Sequence, residues 1–158
     1  MTISSQIAKQ IREVLLNGTW VATNYNVQLS DVNWVQATTK VQDLNTIAIL
    51  AFHIDYYLEG LIQVLRGGTL DIKDKYSYDA PPITSQTDWE NRLQKLFRDA
   101  ETFANLIEHM TDEALMQPFV EEKYGNNYIN LQAMIEHCYY HLGQIVLIKK
   151  LLTSNSKS

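Results

Sequence analysis

The sequence predicts an all-α protein, a four-helix bundle with a long crossover loop between its second and third helices. Apolar residues recur at three- and four-residue steps in four separate segments, which is the period of an amphipathic helix. No segment shows a convincing strand pattern. The stretch 69–88, rich in Asp, Ser, Thr and Pro, separates the second helical segment from the third. It contains Pro81-Pro82, which cannot lie inside a helix, so we interpret it as the crossover loop.

The first helix is predicted over about residues 4–16. Ile7 and Ile11 belong to its apolar stripe, and Asn17-Gly18 supplies a C-terminal stop. The following segment is mixed in character. Within it, Asn33 and Gln36 have the spacing of a capping box and indicate a short helical turn.

The second and third helices have clearer signals. Asn45 is the predicted N-cap of the second helix, which carries a broad apolar stripe and ends at Gly67-Gly68. After the crossover loop, Thr87 and Glu90 in "TDWE" predict a capping box at the start of the third helix.

A short turn at "DEALM" is expected before the fourth helix, which we predict over residues 131–152 with Asn130 as its cap. Residues 1–153 are predicted to form one domain, and residues 154–158 a polar tail.

Composition excludes some partners and favours one compartment. The net charge is −5, and no cluster of Lys and Arg stands out, so neither nucleic acid nor an anionic membrane is an expected partner. The single cysteine, Cys138, forms no intramolecular disulfide, which suits a reducing compartment. The N-terminus lacks the apolar core of a signal peptide, and no stretch approaches the ~18 uncharged apolar residues that span a bilayer. A cytoplasmic protein is therefore predicted.

The four histidines carry the chemical signal. His137 and His141 are four residues apart in the fourth helix, so they share a face and are able to bind one divalent ion. The alternative is two core histidines bonded to backbone or tyrosine. A third ligand would come from His53, in the middle of the second helix, or from His109, near the end of the third. The spacing favours His53, because a mid-bundle position suits a buried ligand.

Other residues near these histidines refine the expectation. No Glu lies three residues before any histidine, so the pattern favours a mononuclear centre over a di-iron one. Gln144 shares the face of His137 and His141, where it either orients a ligand or serves as an ordinary core amide. Tyr56 and Tyr57 follow His53 by three and four residues, and they are either neighbours of a metal-bound group or packing residues.

The histidine of "AFHIDYYLEG" and the segment "EHCYYHLGQIVLIKK" resemble the DinB/YfiT-like four-helix bundles, a family of damage-inducible metalloenzymes. "DKYSYDAPPI" and "VEEKYGNNY" resemble a subfamily without an assigned function. The resemblance implies a metal triad of His53, His137 and His141, one divalent ion (zinc or nickel, with iron or manganese as alternatives), an open site and homodimers. It also implies a small-molecule substrate, such as a low-molecular-weight thiol.

Two reactions suit such a centre. In thiol transfer, a metal-bound thiolate attacks an electrophile without a protein base. In hydrolysis, a carboxylate base usually helps. The face of His137 and His141 carries no carboxylate, which favours thiol transfer, although Asp74 or Asp79 of the loop is a candidate base. The competing hypothesis is a non-catalytic, metal-stabilised binding protein. No catalytic residue is assigned.

Overall fold

The computed structural model describes residues 1–18 and 20–155, and in this part of the chain it is all-α without a β-strand. The prediction of an all-α fold is therefore confirmed. The helices are α1 (Ile3–Arg12), α2 (Tyr25–Leu29), α3 (Trp34–Thr38), α4 (Ile47–Leu65), α5 (Gln86–Glu108), α6 (Asp112–Met116) and α7 (Asn127–Asn155). One π-helical segment, Glu13–Asn17, extends α1, and 3-10 turns occur at Asp74–Tyr76 and Glu122–Tyr124.

The four longest helices, α1, α4, α5 and α7, correspond to the four predicted segments. Helix α4 contacts α5 and α7, and α1 contacts the same two helices, which is compatible with the predicted bundle. The crossover loop, residues 66–85, joins α4 to α5. Helix α7 continues through Asn155, and the remaining tail lies outside the described residues. The largest fully buried side chains of the core include Trp89, Tyr25, Phe103, Ile11, Leu50 and Leu96.

The predicted start of α4 is one residue too early, and the predicted start of α7 is four residues too late. Thr46, rather than Asn45, caps α4, and its hydroxyl accepts a hydrogen bond from the Ile49 N–H at 3.2 Å. For α7, the Asn126 side chain accepts from the N–H three residues later at 2.9 Å, so Asn130 lies inside the first turn. Asn45 and Thr46 are adjacent, whereas Asn126 and Asn130 are about one helical turn apart; all four residues are favoured N-caps, so the local sequence does not decide between them.

The predicted capping box at Thr87 and Glu90 is also wrong, because Ser85 caps α5. The Ser85 hydroxyl accepts from the Asp88 N–H at 3.1 Å. The Asp88 carboxylate in turn accepts from the N–H and hydroxyl of Thr84 at 2.9 and 2.8 Å. These two bonds fix the end of the crossover loop to the first turn of α5. The capping box of Asn33 and Gln36 at the start of α3 is confirmed.

Helix α4 is the one described helix that is long and apolar enough to cross a bilayer by length and composition alone, which the sequence did not lead us to expect. However, 61% of that segment is buried inside the protein. Its buried residues include His53 and Asp55, two polar groups that a lipid environment disfavours. Helix α4 is therefore mostly buried in the core, and this is consistent with a soluble protein.

A buried carboxylate links α4 to α5. The Lys95 ammonium donates to Asp55 Oδ2 and Asp99 Oδ2, both at 2.7 Å, and to Glu59 Oε2 at 3.1 Å. The other Asp55 oxygen has no hydrogen-bond partner among the described residues. Burial raises the pKa of Asp55 to about 6, although Lys95 opposes the shift. The folded protein therefore keeps a proton on this carboxyl up to a higher pH than the unfolded chain does.

The substitution Asp55→Asn is expected to change the pH dependence of stability. Because the pKa rises from 3.8 to about 6 on folding, ionised Asp55 weighs against the folded state above that range. The wild type should lose stability relative to the variant as pH rises from about 4 to about 6, by on the order of 3 kcal/mol. Urea unfolding of both proteins between pH 4 and 7 measures this difference. A difference that stays constant with pH would contradict the assignment.

Candidate metal centre

Three histidines from two helices converge at one place in the helical fold. His53 lies on α4, and His137 and His141 lie on α7. Their ring centroids are 4.6 to 4.9 Å apart in pairs, and the Nε2 atoms of His53 and His137 are 3.0 Å apart. One nitrogen from each ring lies within 4.8 Å of the others. We call these three residues the histidine cluster.

The cluster follows from the helix period and from the packing of α4 on α7. His137 and His141 are one turn apart, so both project from the same face of α7. His53 belongs to the buried face of α4, and only 4% of it is exposed. His141 is equally buried at 3%, whereas His137 is half-buried. The cluster therefore lies at the edge of the core, with His137 on its more accessible side.

Hydrogen bonds from outside the cluster set the tautomers of two rings. His53 Nδ1 lies 3.1 Å from the Ser77 carbonyl oxygen, and His141 Nδ1 lies 2.7 Å from Gln144 Oε1. Both oxygens accept, so each Nδ1 must carry the proton and donate. In a neutral ring, Nε2 then keeps its lone pair free. This is the tautomer that a histidine needs when it binds a metal through Nε2.

Burial also keeps the rings neutral. It lowers the pKa of His137 to about 4, and the charges of His141 and His53 add to the shift. The pKa of His53 and that of His141 are lowered as well, with burial as the largest cause in each case. At neutral pH all three rings therefore have the deprotonated nitrogen that binding a metal requires.

The donor set of the cluster fits a divalent transition metal. Three imidazole nitrogens converge, and within the described residues no cysteine or carboxylate joins them. Imidazole ligands suit zinc, nickel, copper and iron, whereas calcium and magnesium prefer oxygen. Three protein ligands also leave a coordination position for water or substrate, which is the pattern of catalytic rather than structural sites.

A family model described as the DinB superfamily matches residues 22–145, which is most of the chain and includes the whole histidine cluster. The chain belongs to the DinB superfamily. Comparisons with curated proteins and with solved structures give no match. Membership agrees with the helical fold and with a metal site at this cluster.

The crossover loop of this DinB-superfamily protein covers one side of the cluster. Beyond the Ser77 carbonyl, the loop contributes Tyr78, whose ring stacks on His53 at 4.0 Å with an interplanar angle of 11°. Asp74 accepts a hydrogen bond from the Tyr57 hydroxyl at 2.8 Å. The Tyr57 ring stands edge-on to both His53 and His137 at 5.1 Å. One side of the cluster is thus formed by tyrosines and one carboxylate.

The other predicted residues divide into those near the cluster and those away from it. Gln144 contacts His141, and Tyr57 contacts the rings of His53 and His137. Tyr56 holds the loop instead, because its hydroxyl donates to the Lys73 carbonyl and accepts from the Lys73 N–H. Tyr140, which sequence reasoning did not single out, is 65% exposed, and its ring stands 4.9 Å from the His141 ring.

His109 and Cys138 take no part in the cluster. His109 is exposed at the end of α5, and its Nδ1 lies 2.7 Å from the Asn105 carbonyl oxygen. Cys138 is fully buried, and burial raises the pKa of its thiol. Its backbone carbonyl accepts a hydrogen bond from the Tyr25 hydroxyl at 2.9 Å.

Sequence reasoning missed Ser77 and Tyr78 as members of the site. Both belong to the loop whose length was noted, and a long loop in a compact domain is often functional. Nothing in their local pattern indicates that Ser77 presents a carbonyl to His53 or that Tyr78 stacks on the same ring. These contacts depend on the path of the whole loop.

Proposed function

We propose that the histidine cluster binds one divalent metal ion, zinc or nickel, and that the protein transfers a low-molecular-weight thiol to an electrophilic small molecule. The observation that carries the proposal is the pair of bonds from Ser77 and Gln144, which hold two rings with their Nε2 lone pairs free. A bound divalent ion supplies the charge that deprotonates a thiol or a water near neutral pH.

The residues have separate roles in this proposal. The three neutral imidazoles bind the ion without cancelling its positive charge. Ser77 and Gln144 fix the direction of the His53 and His141 rings. In the reaction, the thiolate sulfur forms a bond to the electrophilic carbon, the leaving group departs with its electron pair, and the thiol proton passes to solvent.

A metal-dependent hydrolase is the second candidate, and the position of Asp74 favours it. Its carboxylate accepts from the Tyr57 hydroxyl at 2.8 Å, and the Tyr57 ring lies against the cluster. A carboxylate in this place is the proton acceptor that hydrolysis uses and thiol transfer does not need. Asp74 would thus supply the carboxylate base that is missing from the helix face of His137 and His141.

Thiol consumption by the metal-loaded protein separates the two candidates. We expect loss of free thiol when a low-molecular-weight thiol and a reactive electrophile are supplied together, with little change in the Asp74→Asn variant. Ester or amide cleavage without a thiol, with a rate that falls at least 10-fold in Asp74→Asn, would establish the hydrolase instead. If neither reaction occurs and chelation strongly lowers the melting temperature, the ion is structural.

We also propose a cytoplasmic location. One buried cysteine and the absence of a disulfide in the described residues suit a reducing compartment, and a thiol cosubstrate would be abundant there.

The substitution Gln144→Leu is expected to weaken metal binding about 10- to 100-fold, which is the usual effect of removing an outer partner of a ligand histidine. Leucine is similar in size but accepts no hydrogen bond, so His141 loses the bond that sets its tautomer. Competition with a chromophoric chelator measures the affinity. Gln63→Leu serves as the control, because Gln63 bonds to Asp71 on the surface. Equal affinities for the wild type and Gln144→Leu would contradict the role of Gln144.

A further inference from the structure

A small cavity lies between α4, the segment that precedes it and the later turns of α7. Its volume is about 200 Å³, which suits a ligand smaller than the drug-sized molecules that fill cavities of ~300–1,000 Å³. Its apolar wall includes Leu50, Leu147 and Ile148. Its polar lining comes from Asp43, Asn45 and Gln144. We call it the α4–α7 cavity.

Asp43 gives the α4–α7 cavity an acidic group that the chain leaves unpaired. Its carboxylate is exposed and forms no ion pair or hydrogen bond with any described residue. Among the described residues, no lysine or arginine lines the cavity. Lys149, which follows Ile148 in the chain, bonds instead to Asp31 and to the Gln28 carbonyl. A positively charged ligand would therefore meet an available carboxylate.

The turn that carries Asp43 is strained. Gln42 has a φ of 50°, a left-handed conformation that is uncommon for residues other than glycine. The Leu44 N–H donates to the Val41 carbonyl at 3.0 Å and so closes the turn. Strained backbone of this kind occurs preferentially where a protein holds a ligand, so the turn supports a binding role for Asp43.

Gln144 connects the α4–α7 cavity to the histidine cluster. Its Oε1 accepts from His141 Nδ1 at 2.7 Å, and the same side chain lines the cavity. The two N–H groups of this amide have no acceptor in the part of the chain that the structure describes. A ligand oxygen in the cavity would satisfy these donors.

We propose that the α4–α7 cavity binds a small protonated aliphatic amine that also carries an amide or hydroxyl oxygen, and that its occupancy strengthens metal binding at the histidine cluster. The ammonium group pairs with Asp43, the ligand oxygen accepts from the Gln144 amide, and the aliphatic body packs on Leu50 and Ile148. The first part stands on the cavity alone, whereas the second rests on the metal binding proposed above.

The coupling between the two sites follows from the two ends of one carboxamide. A ligand that accepts from the Gln144 N–H groups restricts rotation of this amide and keeps Oε1 on His141 Nδ1. That bond sets the tautomer in which His141 Nε2 is free to bind a metal. Coupling of this kind is reciprocal, so the ion must strengthen amine binding by the same factor.

Titration of the metal-free, isotopically labelled protein with ε-aminocaproamide, followed by NMR, tests the amine site. We expect a dissociation constant of roughly 10 mM or tighter, with shifts at the backbone amides of Asn45 and Leu147. Caproamide is the same molecule without its amino group, and it should bind at least ~5-fold more weakly. Equal affinities for the two compounds, or no shifts at several times that concentration, would overturn the amine site.

Asp43→Asn should weaken binding of ε-aminocaproamide at least ~5-fold and leave that of caproamide unchanged, because it removes the charge without changing the shape. Glu122→Gln is the matched control. It also removes one exposed negative charge, but it lies before the start of α7, at the opposite end of that helix from the cavity. If both variants bind the amine as the wild type does, Asp43 is not its partner and the proposal fails.

Competition with a chromophoric chelator, with and without saturating ε-aminocaproamide, tests the coupling. The amine should tighten metal binding at least ~3-fold in the wild type, and caproamide at the same concentration should do less. An unchanged metal affinity would overturn the coupling and leave the amine site in place. If the wild type binds no metal, the proposed function and the coupling both fail, whereas the NMR titration of the metal-free protein still decides the amine site.

Discussion

Replacing any one of His53, His137 and His141 by alanine is expected to abolish stoichiometric metal binding. The wild type should hold about one divalent ion per chain, because the three rings present nitrogens within 4.8 Å of one another. Removing one ligand leaves two, and the affinity should fall by more than the 10- to 100-fold that the loss of an outer partner costs. Elemental analysis after equilibrium dialysis measures the content.

His109→Ala is the matched control, because His109 is the one histidine outside the cluster and is exposed. Its metal content should equal that of the wild type. If a cluster variant retains the ion, or if His109→Ala loses it, the assignment of the centre is wrong.

The largest loss of stability is expected for Trp89→Ala. Trp89 is fully buried near the start of α5, and its indole N–H donates to the Val32 carbonyl at 2.7 Å. It thereby joins α5 to the segment between α2 and α3. Truncation removes the ring, leaves a cavity and leaves the carbonyl without its donor. Together these effects should lower the free energy of unfolding by about 3 to 5 kcal/mol.

Trp20→Ala makes the same chemical change at a surface position, since Trp20 is 79% exposed. Its free energy of unfolding should stay within about 0.5 kcal/mol of the wild-type value. Urea unfolding of the three proteins gives the comparison. Similar values for the two variants would show that Trp89 does not support the core as the structure indicates.

The apolar period predicted the long helices well, because burial of one face governs where a long helix forms. It did not predict α2, whose five residues are too few for a period to show. Cap positions were less predictable. Ser85 caps α5 in place of Thr87 because Asp88 also bonds to Thr84, a choice that depends on the loop and not on the local pattern.

In the candidate site, too, residues on helices were easier to predict from the sequence than residues on the loop. The pair His137 and His141 follows from helix geometry alone. The choice of His53 over His109 depends on the packing of α4 against α7, and the structure places His53, not His109, beside the pair on α7. Ser77 and Tyr78 reach the cluster through the conformation of a loop, and no periodic pattern encodes such a path. The local sequence thus predicts ligands that lie on helices better than it predicts the groups that orient them.

X-ray absorption spectroscopy of the protein loaded with one equivalent of zinc reports directly on the ligands of the three-histidine centre. We expect three imidazole nitrogens at about 2.0–2.1 Å, one further oxygen ligand from water and no sulfur. The same spectrum should change in His137→Ala. A sulfur shell at about 2.3 Å, or a spectrum with fewer than three imidazoles, would contradict a three-histidine centre.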